Sequence, residues 1–240
     1  MKKEHVLVTG GSLGIGAGIV SRLIREGYLP IILDQLEPAR GVDAEFFKID
    51  LSNAEATLSL LEEILAKYPI TRLVNNVGIV RPALLESTSL EDFEQVMMLN
   101  ARTAMICAQA LLPAMREQHF GRIVSITSRT TLGKEKRSAY SASKGALAAM
   151  TRTWALELAP DGITVNAVAP GPIETEAFKK NNPLSDPRTS SIINGIPVKR
   201  LGTPADVAQA VSFFLDKNSG FITGQTLYVC GGLTLGANTQ

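Results

Sequence analysis

The sequence predicts an α/β protein: a doubly wound parallel sheet of about seven strands with helices on both faces. Seven short apolar runs alternate with longer helical patterns, as parallel strands joined by right-handed crossovers require. A glycine-rich turn joins the first run to the first helix. No repeat, low-complexity tract or linker interrupts residues 1–240, so a single domain is expected.

Taken in order, the strand candidates are "HVLVTG" from residue 5, "LPIILD" from 29, "AEFFKID" from 44, "ITRLVNN" from 70, "GRIVSIT" from 121, "GITVNAV" from 162 and "QTLYVCGG" from 225. Helical patterns fall near 14–27, 53–67, 90–118, 138–159 and 204–217. In "STSLEDFEQVMM" several side-chain oxygens offer an N-cap before an amphipathic run. In "GTPADVAQAVSFFL" Thr203 and Pro204 stand where a cap and first turn belong. Residues 171–203, rich in glycine, proline, asparagine and charge, read as a long irregular stretch. That is either a substrate lid or a disordered surface insertion, and the lid is favoured because long loops inside compact domains tend to be functional.

Charge and composition exclude several classes. Twenty-four Lys plus Arg against twenty-three Asp plus Glu leave a net charge of +1, so no strong field draws the chain to nucleic acid or to an anionic membrane. Cys107 and Cys230 lie far apart and match no metal or redox spacing. Two histidines, His5 and His119, are too few and too distant for a metal cluster, and no metal is expected. The N-terminal lysines precede an apolar stretch, but Glu4 and His5 interrupt it and five glycines follow before Ser21. A cytoplasmic protein is expected.

"TGGSLGIG", residues 9–16, has the form of a dinucleotide-binding turn. Gly10 permits the tight turn, Gly14 lets backbone approach a pyrophosphate, and Gly16 allows close packing of helix on strand, with the helix N-terminus facing the phosphates. Ser12, Leu13 and Ile15 complete the loop. Asp34 ends the second strand eighteen positions beyond Gly16, near the spacing expected of an acid that accepts hydrogen bonds from the adenosine ribose. Its charge would repel a 2'-phosphate, and neither Ser12, Leu13 nor Gln35 supplies a cation to offset that. NAD(H) is therefore favoured over NADP(H), with Arg40 the nearby residue that argues the other way. Asp34 has a plainer alternative role, starting a turn or capping a helix.

These motifs, with Asp50 and Leu51 after the third strand, "NNVG" at 75–78, Asn100, Ser128, "YSASK" at 140–144 and "PGPIET" at 170–175, resemble the compact single-domain branch of the short-chain dehydrogenase/reductase family. The resemblance covers nearly the whole chain and implies a Rossmann-like fold. It implies adenine contacts near Asp50 and Leu51 and a nucleotide-side role for Asn75, with Asn76, Val77 and Gly78 along the cofactor. It also implies nicotinamide contacts from Pro170, Gly171, Ile173 and Thr175, the last two nearest the carboxamide. Three departures stand out: Val77 where alanine is frequent, Gly18 inside the first helix, and Cys230 where an acid is frequent. A mid-helix glycine costs about 1 kcal/mol relative to alanine.

Tyr140 and Lys144 are four apart, hence on one face of a helix. A nearby ammonium favours the phenolate and is expected to bring the tyrosine's proton exchange toward working pH. The resemblance implies that Lys144 also holds the nicotinamide ribose, that a water relay continues to Asn100, and that Ser128 binds the substrate oxygen beside Tyr140. Both Tyr140 and Lys144 are thus expected to touch the cofactor. Ser125 and Thr127 are the competing hydroxyls; Ser128 is preferred because it lies at the strand's exit, where doubly wound sheets bind ligands.

The reading is an oxidoreductase moving a hydride between NAD(H) and a secondary alcohol or ketone, with Tyr140 as general acid/base. One alternative is an NADPH-dependent 3-oxoacyl-carrier-protein reductase, a subgroup the sequence also resembles. Against it stand Asp34, and Phe120 and Asp161 where that subgroup places basic residues. Another is an NAD-binding sensor that lost the chemistry. Cations in "RTTLGKEKRS" and "FKK" suit an anionic substrate, or are simply solvated. By resemblance the helices around 90–118 and 138–159 form subunit contacts, giving a homo-oligomer, commonly a tetramer.

Overall fold

The computed structural model describes residues 4–183 and 185–235. Seven strands form one parallel sheet: β1 (His5–Thr9), β2 (Leu29–Asp34), β3 (Glu45–Lys48), β4 (Ile70–Asn75), β5 (Gly121–Ile126), β6 (Ile163–Pro170) and β7 (Thr226–Val229), in the order β3-β2-β1-β4-β5-β6-β7. The chain winds outward from β1 to β3, then crosses back to β4 on β1's other side. That reversal leaves a crevice beyond the carboxyl ends of β1 and β4, the place where open α/β sheets take ligands.

Both sheet faces are covered. Helices α1 (Gly14–Arg25) and α8 (Pro204–Leu215) bury Ile19, Val20, Leu23, Val207, Val211 and Phe214 on one face. On the other, α2 (Ala54–Leu65), α4 (Thr103–Glu117) and α5 (Ser138–Leu158) pack Leu61, Ile64, Cys107, Leu111 and Leu158 against Leu7, Leu73 and Val165. Burial on both faces explains why the central strands read as apolar runs rather than alternating ones. Capping sets the helix starts: Asn53 accepts from the Ala56 amide at 3.0 Å, and Thr203 with Asp206 makes a reciprocal capping box ahead of Pro204.

The long helical pattern expected over 90–118 is interrupted. A short helix α3 (Leu90–Met97), capped by Ser89, runs into a π-helical turn over Met98–Arg102 before α4 begins. Such turns wedge an extra residue into a helix and recur at functional sites; this one carries Asn100.

The stretch 171–203 is not irregular throughout. It holds α6 (Glu176–Asn181), capped by Thr175, and α7 (Pro187–Gly195), capped by Asp186 with Pro187 in the first turn. A bridge between Ile173 and Gly202 ties its two ends together. Gly18 also takes a different meaning. A Cβ there would lie 2.5 Å from Pro204 Cβ, so the glycine is what lets α1 and α8 come together.

At the opposite end of the sheet from the crevice, Arg72 of β4 and Arg122 of β5 are register partners and both buried. Phe120 lies against both guanidiniums, at 4.7 and 4.3 Å from its ring centroid. Backbone carbonyls of Leu215, Asp216 and Lys217 accept their hydrogen bonds, and Glu4 pairs with Arg72 at 2.9 Å.

Candidate active site

A cavity of about 790 Å³ opens at the crevice between β1 and β4. Gly10, Leu13, Gly14, Ile15 and Gly16 form its floor, Asp34, Asp50 and Leu51 one end, and Asn76, Val77, Gly78 and Thr175 the other. Local packing dictates the glycines: Gly10 has φ +66°, and a Cβ on Gly16 would sit 1.9 Å from the Gly10 carbonyl oxygen. Asn76 fixes the same turn, donating from Nδ2 to the carbonyls of Thr9 and Gly10 at 3.1 and 2.7 Å.

Asp34 faces the cavity and also organises it. Its carboxylate accepts from the Ser12 amide at 3.0 Å and from the Leu36 amide at 3.2 Å, tying the end of β2 to the glycine loop. The turn-capping role is present, and it leaves Asp34 on the cavity wall. Arg40 is exposed and does not line the cavity. Asp50 bends back onto Ser52, whose side chain and amide hold its carboxyl below the usual range.

The four residues expected to carry the chemistry meet at the Val77–Ile79 end. Asn100 Oδ1 accepts from the Ile79 amide at 2.8 Å, while its Nδ2 donates to the Ile79 carbonyl and to Ser143 Oγ, both at 3.0 Å. Lys144, buried, donates to the Ile126 carbonyl at 2.8 Å, and its Nζ lies 5.7 Å from the centre of the Tyr140 ring. A Cβ on Gly78 would come within 3.1 Å of Asn100 Oδ1 and 3.3 Å of Lys144 Nζ, so this glycine joins the cavity to the polar group. Ser128 caps a short 3-10 turn after β5, accepting from the Thr130 amide, and its hydroxyl acts to lower the Tyr140 phenol. Its rivals are occupied or hidden: Thr127 Oγ1 donates to the Val168 carbonyl at 3.0 Å, and Ser125 is buried within the sheet.

The electrostatics depart from expectation. Burial raises the Tyr140 phenol, and the opposing influences come from Ser128 and Arg137, with Lys144 not among them. Lys144 is itself pushed down to about 8 by burial. The ammonium that was to lower the phenol is thus weakened by the same desolvation.

Several predicted residues stand outside the cavity lining. Asn100, Ser128, Tyr140 and Lys144 sit beyond its inner end rather than on its wall. Ser12 presents only its amide, to Asp34, with its side chain buried. Gly171 packs against Cys230, Pro170 completes β6, and Ile173 is buried in the core with α8, its carbonyl accepting from the Thr175 amide. Asn75 is buried at the end of β4; Asn76 is the member of the pair that reaches the cavity. Leu36, Gln95 and Leu99 line the wall without having been singled out in the sequence, where Gln35 figures only as a residue without a cation; Ile79 and Arg81 fall in the region 78–82 expected to face the substrate. Gln35 and Leu36 follow Asp34 directly, which was their one signal.

The cavity and its polar end define a dinucleotide-dependent oxidoreductase site on a doubly wound sheet. Residues 10–234 match a family described as enoyl-(acyl carrier protein) reductase. The chain is 35% identical to a (2S)-[(R)-hydroxy(phenyl)methyl]succinyl-CoA dehydrogenase subunit of Thauera aromatica, covering 98% of each. It is 38% identical to a 3-oxoacyl-[acyl-carrier-protein] reductase of Rickettsia bellii, covering 97% of each. Among solved structures it superposes with a TM-score of 0.92 on the aldohexose dehydrogenase of Thermoplasma acidophilum, at 32% identity over 99% of this chain and 96% of that one. A putative NAD(P)-dependent gluconate 5-dehydrogenase from Beutenbergia cavernae, with bound NADP at low occupancy, gives 0.91 at 32% identity over 97% of each. The chain belongs to the short-chain dehydrogenase/reductase family. It is an oxidoreductase of that family, acting on CH–OH and C=O groups.

Proposed function

We propose that the protein interconverts a secondary alcohol and its ketone with NAD(H), Tyr140 acting as the general acid/base. The observation that carries this is the junction at Gly78, where a cavity of about 790 Å³ abuts Asn100 and Lys144, with the centre of the Tyr140 ring 5.7 Å from Lys144 Nζ. The residues present fit such a cofactor. Gly10, Gly14 and Gly16 keep side chains out of the cradle, and the Asp34 carboxylate at the far end suits ribose hydroxyls. When bound, the nicotinamide supplies or takes up the hydride.

In the reducing direction Tyr140 gives its proton to the carbonyl oxygen that Ser128 positions; in the oxidising direction it takes the hydroxyl proton back. Burial favours the protonated phenol, the form that acts as an acid. By family resemblance Lys144 replenishes the proton, and a water relay continues from it toward Asn100. Asp34 supports NAD over NADP, although relatives include NADP-bound structures. Within this reading the segment 171–203 closes over the substrate, the protein is cytoplasmic, and it assembles as a homo-oligomer, a tetramer by family resemblance.

Reductase relatives acting on 3-oxoacyl carrier proteins favour a second reading. Against it, Phe120 is enclosed by Arg72 and Arg122, and Asp161 pairs with Arg116 at 2.8 Å, so neither place offers a free cation to an acidic carrier. The test is nicotinamide absorbance with both cofactors, a panel of secondary alcohols and ketones, and a 3-oxoacyl thioester, run beside Tyr140→Phe. Turnover preferring NAD(H) and falling about 10²–10⁴-fold in the variant is expected. Full activity in Tyr140→Phe would sink the assignment.

A further inference from the structure

We infer that the substrate carries an anionic group, a carboxylate or phosphate, which is held by Arg137 and Lys134 with Arg129 beside them. The inference rests on the hydride-transfer reading of the same site and names its substrate class. Residues 129–137 run from the residue after Ser128 to the N-cap of α5, three positions before Tyr140. They contain Arg129, Lys134, Lys136 and Arg137 against the single carboxylate of Glu135. The backbone of Arg137 pairs with that of Ala83, bringing it beside the chain that leads out of the cavity at Gly78 and Ile79.

Two other cations near the opening are already paired. Arg81 pairs with Asp92 at 3.4 Å, and Lys179 with Glu174 and Glu176 at 3.6 and 3.4 Å. Among the described residues, Arg129, Lys134 and Arg137 form no ion pair, although Arg137 donates to the Lys136 carbonyl. They act instead on one another: Lys134, exposed at its surface, is lowered by partial desolvation and then by the charges of Arg129 and Arg137, and Arg137 acts on Tyr140 itself. An arginine at a helix N-cap also opposes the macrodipole, which favours anions there. Lys136 holds φ +58°, a conformation unfavourable for a lysine. Like charges gathered without a counter-charge next to the reacting oxygen are relieved when an anion binds between them.

The test uses matched ketones with the NADH-loaded protein. Acetoacetate is compared with methyl acetoacetate, and dihydroxyacetone phosphate with dihydroxyacetone; the pair that discriminates identifies carboxylate or phosphate as the source. The parent is expected to favour the anion by about tenfold or more in kcat/KM, as a charge-assisted contact implies. That ratio should fall toward one in Arg137→Gln and in Lys134→Gln, and largely return in Arg137→Lys. A ratio near one in both pairs, or one unmoved by combining the two glutamine substitutions, overturns the inference. Turnover of the neutral ketones with no anion preference defeats the substrate class alone, whereas unchanged turnover in Tyr140→Phe defeats the underlying chemistry. A second readout needs no turnover. Inorganic phosphate should raise the melting temperature of the NADH-saturated parent above a chloride control of equal ionic strength, and should not do so for the double variant. Equal shifts in the two proteins overturn it.

Discussion

Lys144→Met should make the cofactor-free protein more stable at neutral pH while removing its activity. The side chain is 3% exposed, and burial moves its ammonium from 10.5 to about 8. A shift of that size corresponds to about 3 kcal/mol. The sign follows from proton binding. Between about pH 8 and 10.5 the unfolded chain holds a proton on this lysine that the folded chain has lost, so stability rises with pH across that window. Below it the penalty is fully present. Methionine keeps the length of the stem and has no charge to bury, but strands the Ile126 carbonyl, a pH-independent loss of about 1 kcal/mol. The stability advantage of the variant should therefore shrink by about 2 kcal/mol between pH 7 and 9.5. For a chain of this size that is about 4–8 °C in Tm. Thermal unfolding of both proteins at the two pH values, at one protein concentration and without cofactor, reads it directly. A gap that does not change with pH would show that Lys144 titrates like a solvated lysine, and would refute the burial argument.

Two further outcomes follow from packing and charge. Gly18→Ala, which helix propensity alone would make stabilising, should instead destabilise by about 1–3 kcal/mol in urea unfolding, because the new methyl meets Pro204. Stabilisation would mean that α1 and α8 can part at no cost. Asp34→Ser should shift the kcat/KM ratio toward NADP(H) by about tenfold or more, with some loss of stability as the Ser12 and Leu36 amides lose their acceptor; an unchanged cofactor ratio would remove Asp34 from the ribose end.

What could be read in the sequence was whatever depends on residue type and local spacing. The glycine turn and Asp34 were legible because backbone approach and hydrogen bonding to a ribose admit few residue types, and the cavity gathers them. Asn100, Ser128, Tyr140 and Lys144 were legible as a set through the family pattern, and they do converge. What stayed hidden depends on partners distant in the chain. Gly18 looked like a cost until Pro204 was found against it. Tyr140 and Lys144 looked like a simple charge pair because spacing says nothing of burial, which acts on both. The helices of 171–203 were missed since six residues are too few to show a period and α7 buries little apolar surface; Asp186 followed by Pro187 was the available signal. The π turn has no sequence signature, and Asn100 gives away its position only through the Ile79 backbone it satisfies.

The arginine pair at the far end of the sheet has a consequence for assembly of the fold. Arg72 and Arg122 find acceptors on Leu215, Asp216 and Lys217, residues that arrive only when the end of α8 has docked, and both lie against Phe120 in the register observed. A slip of one residue in β4 or β5 would turn a guanidinium to the other side of the sheet and leave it buried without oxygen partners, an expensive error. Two arginines thus act as a proofreading contact: each gains its full set of acceptors only when strand alignment and closure of the last helix are both right, Glu4 and the Gly121 and Gly162 carbonyls supplying the remainder. The crevice at the other end is built on strands checked in this way.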